Sequence, residues 1–207
     1  MYYLSFDCAN KSLAIGLYFI QPGKSGGRSL ITFDSDDKNL LNDISTNHIN
    51  ILYLKVIDLI PNQKLKEVDL LIRSNALKKA LVALNYEVLD LIKFPINVVV
   101  EYQMNINDKS KTIYNQIIYE YSNNDRYNVI IIKPIAKNTI HLSNELKYCN
   151  LIQKYKNSYT CNKVHAKLNF LYFIKNNNLS DKIKNIKKSN LDDIADTFMQ
   201  VLAYVIS

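Results

Sequence analysis

The stretch Met1-Tyr-Tyr-Leu-Ser-Phe-Asp7-Cys8 is an apolar, strand-like run that ends on an acid. A second run, Ile96-Asn-Val-Val-Val-Glu101, repeats the same design in the middle of the chain. A carboxylate at the end of a buried strand is costly, because removing a charge from water is unfavourable unless a cation or a hydrogen-bond donor compensates it. The two runs therefore predict two core strands of one sheet, and their acids indicate a functional edge.

Three further strands are predicted around these two runs. Residues 2–8 and 12–20 form an antiparallel hairpin, because a tight polar link, Ala9-Asn10-Lys11, joins two apolar runs. Residues 51–59 and 127–133 supply two more strands. The polar segment over residues 21–50 is expected to be a long loop, with one short strand at 29–33.

Helices are predicted from apolar spacing of three and four residues. The longest spans residues 62–92, and the others span residues 109–121, 139–156, 161–176 and 191–206. A strand, helix, strand unit implies parallel pairing with a right-handed crossover. The sequence thus predicts an α/β fold with a mixed five-stranded sheet flanked by helices. We expect one domain over residues 1–207, with a polar loop insertion at about 21–50.

Two more acids near the C-terminus complete a set of four. Asp193 and Asp196 are three residues apart and share one face of the last predicted helix. If the Asp7 and Glu101 strands are parallel neighbours, all four carboxylates converge beyond the strand ends. Such a group repels itself unless divalent cations bind, and oxygen ligands suit Mg²⁺ or Mn²⁺. Two such ions about 4 Å apart support phosphodiester hydrolysis.

Each acid alone also has a structural interpretation. Asp193 near a helix start interacts favourably with the helix dipole, Asp192 could be the N-terminal cap, and Asp7 could be a turn acid. Glu101 has no local structural purpose after Val98-Val99-Val100. The combination of the four favours a functional site.

The composition narrows the class of partner. The chain has 207 residues and a net charge of +7, from 26 basic and 19 acidic residues. A basic chain favours a polyanionic partner, although a bias towards Asn, Lys, Ile and Tyr would also raise the charge. The odd number and the spacing of the three cysteines indicate reduced thiols. The three histidines lack the spacing that is typical of metal ligands. No apolar run is long enough to cross a membrane and no targeting segment is visible, so a cytoplasmic location is expected.

Three runs of the sequence resemble the RuvC-like Holliday junction resolvases of the RNase H fold, especially the poxviral and fungal mitochondrial type. The runs are Ser5-Phe6-Asp7, Val99-Val100-Glu101-Tyr102-Gln103, and Lys187-Lys188-Ser189-Asn190-Leu191-Asp192-Asp193-Ile194-Ala195-Asp196. The resemblance implies a magnesium-dependent endodeoxyribonuclease that cuts four-way junctions as a homodimer. It also implies two Mg²⁺ ions, with Mn²⁺ as a substitute. The implied catalytic residues and metal ligands are Asp7, Glu101, Asp193 and Asp196, with Asp192 as a possible further ligand.

Lysines near the predicted strand ends are candidates for contacts to DNA phosphates. They are Lys109, Lys111, Lys137, Lys163, Lys167, Lys187 and Lys188. A solvated surface position is the alternative for each of them. The predicted helices over residues 74–92 and 107–121 are the candidate dimer interface, because they should flank the site.

Two other functions fit the same pattern. One is another RNase H-fold nuclease or strand-transfer enzyme that acts on RNA, hybrids or transposon ends. The other is a junction-binding module without catalysis, which four retained ligands argue against. Under the poxviral form of the resemblance, the expected location is a cytoplasmic site of viral replication.

Overall fold

The structure, a computed structural model, describes residues 1–9, 11–21, 48–61, 63, 68–102, 108–134, 140–142 and 158–206. Residues 108–109 and 158–159 are described by their backbone only. The predicted short strand at 29–33 and most of the predicted helix at 139–156 lie outside these ranges, as does most of the predicted insertion.

Five strands form one mixed sheet in the described residues. They are β1 (Tyr2–Cys8), β2 (Ser12–Ile20), β3 (Ile49–Asp58), β4 (Ile96–Glu101) and β5 (Tyr127–Ile132), in the spatial order β3-β2-β1-β4-β5. The first three strands are antiparallel neighbours, whereas β4 lies parallel to both β1 and β5. The predicted mixed five-stranded sheet is confirmed, including the hairpin of β1 and β2.

Helices cover both faces of this sheet. They are α1 (Leu70–Glu87), α2 (Asp108–Ser122), α3 (Ser158–Asn176), α4 (Ser180–Ile183) and α5 (Leu191–Val205), with short 3-10 turns at Leu89–Leu91 and Lys188–Asn190. The short helix α4 and the two 3-10 turns were not predicted from the sequence, because four residues or fewer carry no readable periodicity. No described helix is long and apolar enough to cross a membrane.

The first helix is shorter than its apolar pattern predicts. It begins at Leu70, where the Asp69 side chain accepts a hydrogen bond from the backbone N–H of Leu71 at 3.0 Å. This cap fixes the helix start, since it satisfies an amide that has no partner within the helix. Leu71 and Leu91 belong to the apolar spacing that predicts the helix over residues 62–92, but they are 65% and 78% exposed. The apolar spacing therefore overestimates the buried face of this segment.

The start of the helix predicted at 139–156 is also wrong. Residues 140–142 are not helical. The backbone N–H of Leu142 donates to the side-chain oxygen of Asn169 on α3 at 2.8 Å. An apolar run that docks on a neighbouring helix can carry the same spacing as a helix of its own, which explains the error.

Two apolar layers result from the alternation of side chains along the central strands. Leu4 and Phe6 of β1 face α1 and α2, and Tyr3 faces α3 and α5. The helix α5 is buried over ten consecutive residues, Ile194 to Ala203. This helix is therefore buried on nearly all sides along that run. Each large apolar side chain fully buried here, such as Phe198, contributes roughly 1.5–3 kcal/mol to folding.

A glycine permits the close approach of α5 to β2. A Cβ atom on Gly16 would lie 2.5 Å from Thr197 Oγ1 and would also collide with the Tyr18 hydroxyl. Those two groups are hydrogen-bonded to each other at 2.7 Å. Gly16 therefore leaves room for a buried polar contact that fixes the height of α5 above the sheet.

Candidate active site

Asp7 and Glu101 lie at the same edge and on the same face of the sheet. The parallel register of β1 and β4 pairs Phe6 with Val100, so the two acids follow at the same level. Their side chains point to the α5 face, because they alternate with Phe6 and Val100 on the opposite face. Burial raises the pKa of the neighbouring Cys8 thiol, and the charges of Asp7 and Glu101 raise it further. The two carboxylates therefore exert their electrostatic effect on the same small region around the end of β1.

The first turns of α5 bring Asp193 and Asp196 to this edge. Asp196 is 3% exposed and Asp193 is partly buried. Asp192 lies in the first turn of α5 but is not its cap, because the cap position is Asn190. That corrects the alternative in which Asp192 ends the loop as a capping acid. The spacing of three residues directs Asp193 and Asp196 to one neighbour, as the sequence predicts.

That neighbour is the ammonium group of Lys163 on α3. Its Nζ atom lies 2.8 Å from Asp193 Oδ1, 2.9 Å from Asp196 Oδ2 and 3.5 Å from Asp7 Oδ2. One side chain thus joins acids from β1 and α5. The sequence analysis placed Lys163 among surface DNA contacts, whereas the structure places it inside the carboxylate group.

The environment of Lys163 favours its charged form strongly. Burial alone would lower the pKa of this amine, but the carboxylates of Asp7, Asp196 and Asp193 outweigh that effect and raise the pKa well above its ordinary value. Four carboxylates and one ammonium sum to −4 + 1 = −3. The group therefore keeps a large negative charge that attracts further cations.

Glu101 has a different partner, the fully buried amide of Gln200 on α5. Gln200 Nε2 donates to Glu101 Oε2 at 3.3 Å. The other end of the amide accepts a hydrogen bond from Ser5 Oγ at 2.7 Å. Both Ser5 and Gln200 are 0% exposed. This chain of bonds sets which way the amide faces and thereby orients the Glu101 carboxylate.

The acids supply only oxygen atoms as candidate ligands. No group of three or more His, Cys, Asp or Glu side chains in the described ranges is arranged to hold a metal ion as it stands. The ammonium group of Lys163 contacts three of the carboxylates. The donor set itself, without sulfur or imidazole, fits a hard cation such as Mg²⁺.

The other candidate DNA-binding lysines are spread over three regions. Lys109 and Lys111 lie on α2, and Lys167 lies one turn after Lys163 on α3. Lys187 and Lys188 are exposed in the turn before α5. Lys137 is outside the described residues, and so is Gln103 of the Glu-x-Gln pattern.

Two of the histidines, predicted to be unremarkable, form a pair. His165 Nε2 lies 2.8 Å from His141 Nδ1, and Asn169 Nδ2 lies 3.0 Å from the same His165 atom. Burial, with a smaller effect from His141, lowers the pKa of His165 to about 4. The pair joins the segment before α3 to that helix.

Sequence reasoning missed Ser5 and Gln200 altogether. Each is a polar residue inside an apolar run, Ser5 between Leu4 and Phe6, and Gln200 between Met199 and Val201. A buried polar side chain needs a hydrogen-bond partner. Because Ser5 and Gln200 lie on a strand and a helix that were predicted to pack together, a hydrogen bond between them could have been predicted.

No protein-family model matches the chain, and no curated protein matches it by sequence. Solved structures do match. The fowlpox virus resolvase in complex with Holliday junction DNA aligns with a TM-score of 0.50 and 19% identity, covering 99% of this chain and 97% of the viral one. RuvC of Thermus thermophilus aligns with a TM-score of 0.52 and 12% identity, covering 100% of this chain and 94% of RuvC. The chain has the RNase H-like fold of the RuvC-type resolvases.

A third match to this RNase H-like fold is T. thermophilus RuvC in complex with a Holliday junction substrate. It has a TM-score of 0.51 and 11% identity, and the alignment covers 100% of this chain and 94% of that one. The fold expected from the resemblance is therefore confirmed. At these sequence identities the similarity supports the fold alone. The chemistry follows from the residues of the site.

Proposed function

We propose that this protein is a structure-specific DNA endonuclease that resolves four-way junctions by metal-assisted phosphodiester hydrolysis. The observation that carries the proposal is the convergence of Asp7, Asp193 and Asp196 on one ammonium, with Glu101 held beside Asp7. These residues come from three separate elements. A protein without catalytic use for them would have no reason to bring so many charges together, because like charges at short distance destabilise the fold.

The four acids Asp7, Glu101, Asp193 and Asp196 would hold the divalent cations, with Asp192 peripheral to them. Bound Mg²⁺ supplies an activated water and neutralises charge on the leaving oxygen. The protein's own residues supply position: β1 and β4 fix two carboxylates by register, and α5 fixes the other two by packing. Lys163 would place a positive charge beside the acids, where it can offset the negative charge of the scissile phosphate.

We propose a homodimer, because two equivalent strands of a junction need two equivalent sites. Support comes from the exposed apolar side chains. Of the eleven large hydrophobic residues that are exposed in the described structure, seven fall between residues 70 and 94: Leu70, Leu71, Ile72, Val82, Tyr86, Leu91 and Phe94. This concentration on and just after α1 fits an interface. The expectation that residues 74–92 meet a second copy stays a prediction, and α1 covers the face of the sheet opposite to the four acids rather than flanking them.

The decisive experiment is cleavage of a synthetic four-way DNA junction with Mg²⁺. Linear duplex DNA and an RNA–DNA hybrid of the same sequence serve as substrate controls. We expect paired, symmetric nicks in the junction and little cutting of the controls. Preferred cutting of the hybrid would instead support a different RNase H-fold nuclease, and binding of the junction without cutting under any divalent metal would support a non-catalytic module.

Two isosteric variants connect that activity to the site. Asp7→Asn and Glu101→Gln keep the side-chain shape but remove a full ligand charge, so we expect cleavage to be lost and junction affinity to be largely retained. Circular dichroism verifies that each variant is folded. Equal loss of binding and cutting by a folded variant would contradict the assignment of these acids to the reaction.

A further inference from the structure

A basic pocket of about 640 Å³ lies beside the acids. Its polar lining includes Lys11, Ser12, Lys55, Asp58, Lys182 and Lys187. The residues come from the start of β2, the end of β3 and the segment between α4 and α5. These parts are far apart in sequence, so the pocket is a product of the fold.

The pocket opens at the same edge of the sheet as the four carboxylates. Asp58 ends β3, which runs in the same direction as β1, and Ser12 is its direct partner on β2. Ser12 Oγ also lies 3.5 Å from Asp193 Oδ2, at hydrogen-bonding distance. A single side chain thus lines the pocket and contacts the acidic group. A linear polymer lying across the acids can continue directly into the pocket.

The charge of the pocket is opposite to that of the acids. Three lysines and one aspartate sum to +3 − 1 = +2, because Lys55 alternates with Leu54 and Val56 and points to the α1 face, where it pairs with Glu87. Lys11 is 3.9 Å from Asp58, and Lys55 is 3.5 Å from Glu87. Neither Lys182 nor Lys187 has a carboxylate within 4 Å among the residues that the structure describes. These two ammonium groups are therefore available to an anion from outside.

We propose that this pocket binds backbone phosphates of the DNA strand that enters the active site, next to the bond that is cut. The inference rests on the proposed nuclease function and adds Lys11 and Lys182 to the surface that holds DNA. Asn185, Ser189 and Asn190 also line the pocket and offer hydrogen-bond donors to phosphate oxygens. The acids repel a polyanion, and the pocket compensates that repulsion at the adjacent position.

The test compares wild type with a double variant that carries both Lys182→Gln and Lys187→Gln. The probe is a labelled synthetic four-way DNA junction. Binding is measured in EDTA at several NaCl concentrations. Each phosphate contact contributes about 0.9 to the slope of log Kobs against log salt, so we expect the slope to become shallower by about 1.8 and Kd to rise about tenfold. The matched control is a double variant with Lys175→Gln and Lys184→Gln, two exposed lysines outside both the pocket and the proposed dimer interface, which should leave slope and Kd unchanged.

A second variant should strengthen junction binding instead of weakening it. Asp58 accepts a hydrogen bond from the backbone N–H of Ile60 at 3.0 Å, and asparagine can keep that bond. Asp58→Asn removes the one negative charge of the pocket, so Kd for the junction should fall several-fold. An unchanged slope in the lysine variant, or an equal loss in the control variant, would overturn the proposal. So would a pocket-dependent interaction with polyglutamate together with unchanged junction binding, because the ligand would then be an acidic protein.

Failure of this inference is separable from failure of the nuclease proposal. If wild type cuts the junction and the lysine variant binds it as wild type does, the pocket proposal is wrong and the enzyme stands. If wild type cuts no substrate but the variant shows the shallower salt slope, the pocket binds DNA and the enzyme proposal is wrong.

Discussion

Ser5 Oγ donates a hydrogen bond to Gln200 Oε1 at 2.7 Å, deep between β1 and α5. Because the oxygen of the amide is engaged there, its nitrogen must face Glu101, which lies 3.3 Å away. A buried serine thus determines the direction of a bond to a candidate metal ligand. Such supporting bonds to ligands are worth about 10- to 100-fold in activity or metal affinity.

Gln200→Leu is therefore expected to reduce the cleavage rate at saturating junction by about 10- to 100-fold, with Kd for the junction nearly unchanged. Ser5→Ala should show a smaller loss, since the amide remains but can rotate. The measurement is single-turnover cleavage together with binding in EDTA. A purely structural role would lower stability and leave the rate of the folded protein, and its Mg²⁺ requirement, as in wild type.

The three acids at the start of α5 should differ in importance. Asp193 and Asp196 contact Lys163, whereas Asp192 points elsewhere, because consecutive side chains on a helix are about 100° apart. We expect Asp192→Asn to retain substantial cleavage and both Asp193→Asn and Asp196→Asn to be nearly inactive. Mg²⁺ should also raise the Tm of wild type more than that of Asp193→Asn. An inactive Asp192→Asn beside an active Asp193→Asn would move the ligand by one residue.

Lys163→Met should make the stability of the protein depend on divalent cations. Without the ammonium, three partly buried carboxylates lose their compensating charge, which is expected to cost about 2 kcal/mol or more in EDTA. Addition of Mg²⁺ should restore more of the Tm in this variant than it adds to wild type. Thermal unfolding with and without Mg²⁺ provides the measurement. Lys167→Met, one helical turn along on α3, is the control and should behave as wild type does.

Acid should destabilise the protein partly through His165. Its pKa is lowered to about 4 in the folded state, compared with an ordinary value of 6.5. Between these values the unfolded chain takes up a proton at His165 and the folded chain does not, so the free energy of unfolding falls as the pH drops from 6.5 towards 4. The full effect is on the order of 3 kcal/mol.

The corresponding variant is His165→Gln, which can still accept a hydrogen bond from Asn169. We expect its stability to vary less with pH over this interval than that of wild type, as measured by urea unfolding at several pH values. Equal pH dependence in the two proteins would show that other groups dominate the acid sensitivity.

The dimer prediction can be tested at α1. Leu71→Glu and Tyr86→Glu place charges on two side chains that are 65% and 76% exposed, so the folded monomer should tolerate them. Sedimentation velocity should show a dimer for wild type and a monomer for the double variant. Tyr119→Glu on α2, exposed at 72%, tests whether the second predicted interface helix takes part. A wild type that is monomeric at all concentrations would contradict the dimer.

The sequence predicted those features that depend on local pattern. Strand β1 and helix α5 were placed almost to the residue, because apolar runs with an acid at a fixed position define both the element and its face. The extent of α1 was overestimated, since its cap at Asp69 lies inside a longer apolar pattern. The place of Lys163 could not be derived, because nothing local distinguishes a lysine that points into an acidic group from one that points to water. It depends on how α3 packs against α5.

The order of the elements along the chain has a consequence for synthesis on the ribosome. All five described strands precede α5, and the last of them ends at Ile132, whereas Asp193 follows 61 residues later, from 193 − 132. At about 5–20 residues per second, the nascent chain spends on the order of 3–12 seconds with this sheet complete and two of the four acids missing. During that interval the apolar face that α5 later covers is open to water or to chaperones. Under the proposed function, a nascent chain arrested in that interval would be unable to cut nucleic acid near its own ribosome.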